Sequence, residues 1–354
     1  MSQPTTIRGP ALFISQFIAD EPPFDTLAGI ARFAAGLGFK ALQLPVHDPR
    51  FIDLDRSDDS GYIDGLLADL SRAAITVSEI AAHRAGQLMA VHPAYDDAMD
   101  ALSPPPVRGN PARRRAQAER DLRRSIALAA RLGVDKVAVF SGGLAWPFVY
   151  PYPPLPPGLI ERAFGELARR WQPLLDAADA AGIDLCFELH PGQDLHDGAT
   201  FERFLALVDN HPRAKILYDP SHMLLQHMDY LGFIERYHPR IAAFHVKDAE
   251  FTKSARSGVY GGYAGWIDRP GRFRSVGDGD IDFRGVFERL TQYGFGGWAV
   301  LEWECCLKNP LDGAAEGARF IAEHIIRVAG RSFDAGLRTA SPPETLDRML
   351  GLDR

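Results

Sequence analysis

Cysteine is nearly absent. The 354 residues hold three, and Cys305 and Cys306 are neighbours, which leaves Cys186 as the one separate partner. No disulfide framework can be built from that set. Long apolar runs are missing too. No segment approaches the ~18 uninterrupted apolar residues of a membrane span, so no membrane partner is expected. Met1–Gly9 is polar and lacks the apolar centre of a signal peptide, so the expected compartment is a reduced cytoplasm. Positive charge is not in excess: Lys and Arg number 39 against 46 Asp and Glu, a formal net charge of −7. Phosphate binding needs concentrated positive charge, so a nucleic-acid partner is not expected. The basic-looking stretch Arg113–Arg131 is interrupted by Ala116, Ala118 and an Ile126/Ala129/Ala130 face, and reads as a solvated helix surface. There are no internal repeats, and no Gly-rich dinucleotide fingerprint follows the first apolar run.

What remains is an alternation. Short apolar runs at 10–18, 41–46, 75–82, 136–141, 183–190, 214–219, 241–248 and 298–304 are bounded by Gly, Pro or charge, as buried parallel strands are. Helical periodicity fills the stretches between them, at 24–37, 62–74, 111–132, 158–181, 200–210, 231–237, 283–293 and 314–328. Gly182 closes the fourth helix, and Asp282 and Gly294 bracket the seventh. Eight strand–helix units without a break in composition predict a single α/β domain, a (β/α)8 TIM barrel over residues 1–331, with 332–354 as a C-terminal extension. Two connections, 84–110 and 249–280, are too long for turns. Both follow strands and are expected on the C-terminal rim as lids. Barrels with such loops often close the pocket with a neighbour, so a homo-oligomer is expected.

The last four runs each end in an ionisable residue: Glu188, Asp219, His245 and Glu302. A buried, unpaired charge costs several kcal/mol, so hydrophobic strands do not carry such residues without cause. In a barrel the four lie side by side, and three carboxylates so close require something positive among them. Two Glu, one Asp and one His form a hard, oxygen-rich ligand set suited to Mn2+, Mg2+, Co2+ or Zn2+; a soft-metal site would recruit Cys. His190 shares a strand face with Glu188 under period-two alternation, as Glu304 does with Glu302. Lys247, two residues past His245, either bridges the barrel wall or touches substrate. Asp248, at an odd spacing, is expected behind the ligands or at the substrate.

The segments FELHPG (187–192), YDPSH (218–222), FHVKD (244–248), GDGDIDF (277–283) and GGWAVLEWE (296–304) resemble the xylose-isomerase-like superfamily of sugar isomerases and epimerases, over residues 10–327. That group includes ketose 3-epimerases, inosose dehydratases and apurinic-site endonucleases. The resemblance implies that Glu188, Asp219, His245 and Glu302 bind a divalent metal, Mn2+ first. It implies that Glu188 and Glu302 are the catalytic acid/base pair and that His222 contacts substrate, with His190, Lys247 and Asp248 as further substrate-binding candidates. Where the ketose epimerases carry an arginine, six residues past the histidine ligand, this chain has Phe251. Arg256, Arg272 and Arg274 stand further along, beside Tyr260, Tyr263 and Trp266.

The expected activity is therefore a metal-dependent isomerase or epimerase acting through an enediolate on an unphosphorylated monosaccharide or keto-sugar. The alternative is a lyase or dehydratase acting on inososes or 3-keto-glycosides with the same metal and glutamate base. No phosphate cradle follows the last strands, only the acidic GDGD turn. A three-metal endonuclease would need a basic groove and more histidines.

Overall fold

The computed structural model describes residues 6–330, 333–336 and 340–352. Ten strands follow in chain order: β1 (Arg8–Phe13), β2 (Ala41–Pro45), β3 (Thr76–Ala81), β4 (Lys136–Val139), β5 (Asp184–Glu188), β6 (Ala214–Tyr218), β7 (Ile241–Val246), β8 (Asp248–Phe251), β9 (Gly271–Arg274) and β10 (Trp298–Leu301). Eight of them close a parallel barrel in the order β1-β10-β7-β6-β5-β4-β3-β2. Each barrel strand is followed by a helix, the last of them Pro310–His324. This is the (β/α)8 architecture that the alternation predicts. None of these helices is long and apolar enough to cross a membrane.

Both faces of the strands are buried, which is why they read as continuous apolar runs. The outward set (Leu12, Leu42, Ile80, Val137, Phe187, Ile216, Phe244 and Leu301) belongs to the large cluster shared with the helices. The inward set is mostly small: Ala11, Ala41, Ala81 and Val300 with Phe13 in one group, and Ala138, Cys186, Leu217 and Ala243 in another. Small side chains leave room on the axis. Two residues further along β5, β6, β7 and β10, the same inward parity reaches Glu188, Asp219, His245 and Glu302. Period-two alternation thus sets the site on a floor of small residues.

Several boundaries differ from expectation. The first run ends as a strand at Phe13, and Ser15–Phe17 is a 3-10 turn. The connection 84–110 is not an open lid. It folds as helices His83–Met89 and Asp96–Ala101, pinned by Arg114. That arginine is 2% exposed and pairs with Asp96 and Asp100, so the basic tract is not wholly a solvated face. The connection 249–280 contains the antiparallel hairpin β8–β9, with Glu250 opposite Arg272. In the C-terminal stretch, helix Pro343–Leu350 leaves Leu346, Met349 and Leu350 exposed. Its junction at 331–332 lies outside the described residues.

Candidate metal centre

Glu188 ends β5, Asp219 directly follows β6, His245 lies in β7 and Glu302 directly follows β10. Each offers one ligand atom, and the four atoms lie within 4.8 Å of one another. All four side chains are buried, His245 completely. Asp219 also caps the short helix Pro220–Leu225, where its Oδ1 accepts from the Ser221 N–H at 2.8 Å. Its other oxygen, Oδ2, is buried with no hydrogen-bond partner among the described residues. Three carboxylates and an imidazole converging on one point fit a hard divalent cation and offer nothing to a soft one, although Asp219 Oδ2 also has the Lys247 ammonium at 3.0 Å.

The positive charge inside this cluster belongs to Lys247. Its Nζ is 2.8 Å from Glu302 Oε2, 3.0 Å from Asp219 Oδ2, 3.8 Å from Glu188 Oε1 and 3.6 Å from Glu304 Oε2. The ammonium also lies 4.9 Å from the centroid of the Phe273 ring. Lys247 therefore points inward, at the parity of His245, and does not bridge the wall. Burial opposes charge throughout, but opposite charges at this range prevail. The Glu188 and Glu302 carboxyls are held well below the usual range, chiefly by Lys247, and Lys247 is pushed well above its own. Burial works against protonated His245, yet the Glu302 carboxylate, 2.8 Å from Nδ1, lifts it to about 9.

Histidines surround the cluster. His222 Nε2 is 3.1 Å from Glu188 Oε1 and 3.0 Å from Lys247 Nζ, and burial lowers its pKa to about 4. The ring is thus held neutral between a carboxylate and an ammonium. His190 packs over it, ring centroids 4.0 Å apart. His83 Nε2 approaches Glu188 Oε2 at 3.0 Å, off the line of a good hydrogen bond. Gln16 donates to Glu302 Oε1 at 3.1 Å. His83 opens a helix in the connection after β3 and Gln16 lies in a 3-10 turn, so neither sits at a periodic strand position that would mark it in the sequence.

Asp248 does not join them. Its parity sends it outward, and its carboxylate accepts from the backbone N–H groups of Ala249, Gly277, Gly279 and Ile281 at 2.8–3.4 Å. His245 meets Glu302 at Nδ1 and Gln43 at Nε2, and the Asp248 carboxylate is taken up by the turn, so Asp248 neither backs the ligands nor faces the cavities. Arg272 and Arg274 are likewise committed, both to Glu250 across the hairpin.

Two cavities near the cluster share His190 in their walls. One, of about 730 Å³, is walled by Gln16, Trp266, Phe273, Trp303 and Glu304. The other, of about 290 Å³, is walled by His92, Tyr95, Phe140 and Trp146. Tyr152 and Tyr263 stay exposed outside both. Aromatic faces with a few polar groups suit the two sides of a sugar ring.

Comparison with known proteins gives a consistent picture. A family model described as a xylose isomerase-like TIM barrel matches residues 31–324. The inosose dehydratase of Serratia proteamaculans is 29% identical over 174 residues, covering 47% of this chain and 57% of the relative. The chain thus spans little more than half the length of that curated relative. Among solved structures, an L-ribulose 3-epimerase has a TM-score of 0.58 at 16% identity, covering 98% of both chains. A xylose isomerase-like TIM barrel protein from Mycobacterium smegmatis, in complex with magnesium, has a TM-score of 0.60 at 16% identity, covering 90% of this chain and 96% of that one. At such identities these two likenesses concern the fold.

Proposed function

Because the chain belongs to the xylose isomerase-like TIM barrel family, we propose that it is a divalent-metal-dependent isomerase or epimerase that removes the proton beside the carbonyl of an unphosphorylated keto-sugar or cyclic keto-polyol and returns it elsewhere. One observation carries this: Glu188, Asp219, His245 and Glu302 bring their ligand atoms within 4.8 Å at the C-terminal end of the barrel. Those four residues would hold the cation, with Mn2+ the first expectation. When bound, it would draw off the negative charge that builds on the substrate oxygens, a contribution of several kcal/mol where each ~1.4 kcal/mol is tenfold in rate.

The rest of the chemistry falls to this chain's own groups. A C–H beside a ketone is a weak acid, and the base that takes its proton must be ionised. Glu188 and Glu302 are kept ionised by Lys247. One glutamate removes the proton and the other returns one. His222, neutral and held between Glu188 and Lys247, would donate to a substrate oxygen once one enters the cluster. His190, shared by both cavities, would meet a hydroxyl above it. The GDGD turn supports an unphosphorylated substrate, because the Asp248 carboxylate already occupies the N–H groups of Gly277, Gly279 and Ile281 that could otherwise cradle a phosphate.

A dehydratase or lyase is the second reading, and the inosose dehydratase relative favours it. It needs the same first step, then departure of a hydroxyl from the next carbon. Incubating the protein with Mn2+ and a panel of inososes and keto-sugars in D2O separates the readings. Deuterium gain without loss of water supports an isomerase or epimerase, and loss of water supports the dehydratase. A protein that binds Mn2+ and exchanges no substrate proton refutes both.

A further inference from the structure

Beneath the cluster, inside the barrel, lies a chain of three fully buried polar side chains from three strands. His245 Nε2 meets Gln43 Oε1 at 3.0 Å, a contact between residues 202 apart in sequence. Gln43 Nε2 in turn donates to Glu79 Oε2 at 2.8 Å. Gln43 and Glu79 stand opposite each other on β2 and β3, and all three residues are 0% exposed. Phe13, opposite Gln43 on β1, stacks on the His245 ring at 5.7 Å and 26°. Burying an amide and a carboxyl under the site costs free energy unless they are paired, and neither touches the cavities above.

The pairing has a direction. The Glu79 oxygen accepts the Gln43 NH2, which leaves only the Gln43 carbonyl oxygen to face His245. A carbonyl oxygen can only accept, so Nε2 must carry a hydrogen; without a cation Nδ1 carries one as well, toward Glu302 Oε2 at 2.8 Å, and Nδ1 is therefore the nitrogen left to give up its proton to a cation. Flipping the amide would set N–H against N–H at His245 and oxygen against oxygen at Glu79, inside a core that Phe13 closes from one side. We propose that Gln43 and Glu79 are positioning residues that lock His245 in the orientation and tautomer in which Nδ1 is free to bind a divalent cation. The inference rests on His245 being a cation ligand, as argued above. Partners of this kind behind a ligating imidazole typically govern metal affinity by 10–100-fold.

The test is Mn2+ binding to the full chain, read by electron paramagnetic resonance of the free ion, for the native protein and for Gln43→Leu, Glu79→Leu and Glu79→Gln. Gln43→Leu and Glu79→Leu are expected to weaken Mn2+ binding by roughly 10–100-fold. Glu79→Gln should weaken it less, because its amide oxygen still accepts from Gln43. With Mg2+ bound, 15N-histidine spectra of the native protein should show protonated Nε2 and bare Nδ1 at His245, with the pattern blurred in Gln43→Leu. Mn2+ binding as tight as native in a folded Gln43→Leu overturns the inference. If that variant does not fold, native affinity in a folded Glu79→Leu overturns it. A native protein that binds no Mn2+ fails earlier and takes the metal reading down with it.

Discussion

Replacing Lys247 by Met keeps the volume of the side chain and deletes its charge. In the structure the ammonium lies 2.8 Å from Glu302, 3.0 Å from Asp219 and 3.8 Å from Glu188, with 2% of the lysine side chain exposed. Removing one member of a buried ion cluster leaves the others uncompensated, at a cost of about 3–5 kcal/mol. An unfolding entropy of ~2.1 cal/mol/K per residue gives roughly 0.7 kcal/mol/K for a chain of this size, so the melting temperature should fall by about 4–7 °C in chelator. A divalent cation supplies the missing charge, and in the variant it no longer shares the site with an ammonium. Mn2+ should therefore stabilise Lys247→Met more than the native protein, where saturation at 100 times Kd is worth about 2.7 kcal/mol. Differential scanning calorimetry in chelator and in Mn2+ measures both shifts. A chelated variant that melts with the native protein, or a larger Mn2+ shift in the native protein, would refute the assignment of Lys247 as the counter-charge of the cluster.

Glu188→Gln should abolish substrate deuterium exchange while far-UV circular dichroism stays native; retained exchange would remove Glu188 from the acid/base pair. In chelator, stability should peak near pH 6.5. Burial lowers His47 and His222 to about 4, so as pH falls from 6.5 toward 4 the unfolded chain takes up protons that the native state refuses. His245, raised to about 9, stabilises fully below pH 6.5 and loses that contribution as pH rises toward 9. Urea melts between pH 4.5 and 9 that show a monotonic trend would contradict this. Gly279→Ala should cost about 1–3 kcal/mol, because a Cβ there would run into Asp248 Oδ1 and lie 2.5 Å from the Ala249 carbonyl oxygen. An unchanged urea midpoint would mean that Asp248 does not hold the turn.

The eight strands are legible in the sequence because parallel strands buried on both faces leave unbroken apolar runs, and an ionisable residue stands out against them. Glu188, Asp219, His245 and Glu302 share inward parity with Cys186, Leu217, Ala243 and Val300, so spacing alone places them together once the barrel closes. The same rule separates Lys247 from Asp248. Neighbours on an extended chain face opposite ways, which puts the lysine in the cluster and the aspartate on the GDGD turn. Gln43 and Glu79 also carry a signal, as polar residues inside ALQLP and TVSEIA, but their partner arrives from across the barrel and only closure reveals it. His83 begins a helix in an inserted connection, where no period operates. Arg272 and Arg274 looked free because the strand that binds them, with Glu250, lies some twenty residues earlier and pairs antiparallel.

Charge balance ties the lysine to the chemistry. The three ligand carboxylates, the ammonium and a bound divalent cation would sum to zero with His245 as the neutral ring; the Glu304 carboxylate, 3.6 Å from the ammonium, stands outside that sum. Under the proposed function, moving a proton from substrate carbon to one of the glutamates would leave these groups at +1 around the new enediolate. Without Lys247 they would sum to zero, and the anion would lose that net attraction in a water-poor interior where Coulomb forces are weakly screened. The ammonium lies beside the ligands and beneath the cavities, so its loss would act on the transition state more than on the docking of an uncharged sugar. Lys247→Met should accordingly lower kcat by tenfold or more with a smaller change in KM. A variant that raises KM alone would make the lysine a simple hydroxyl contact and remove it from the electrostatics of proton transfer.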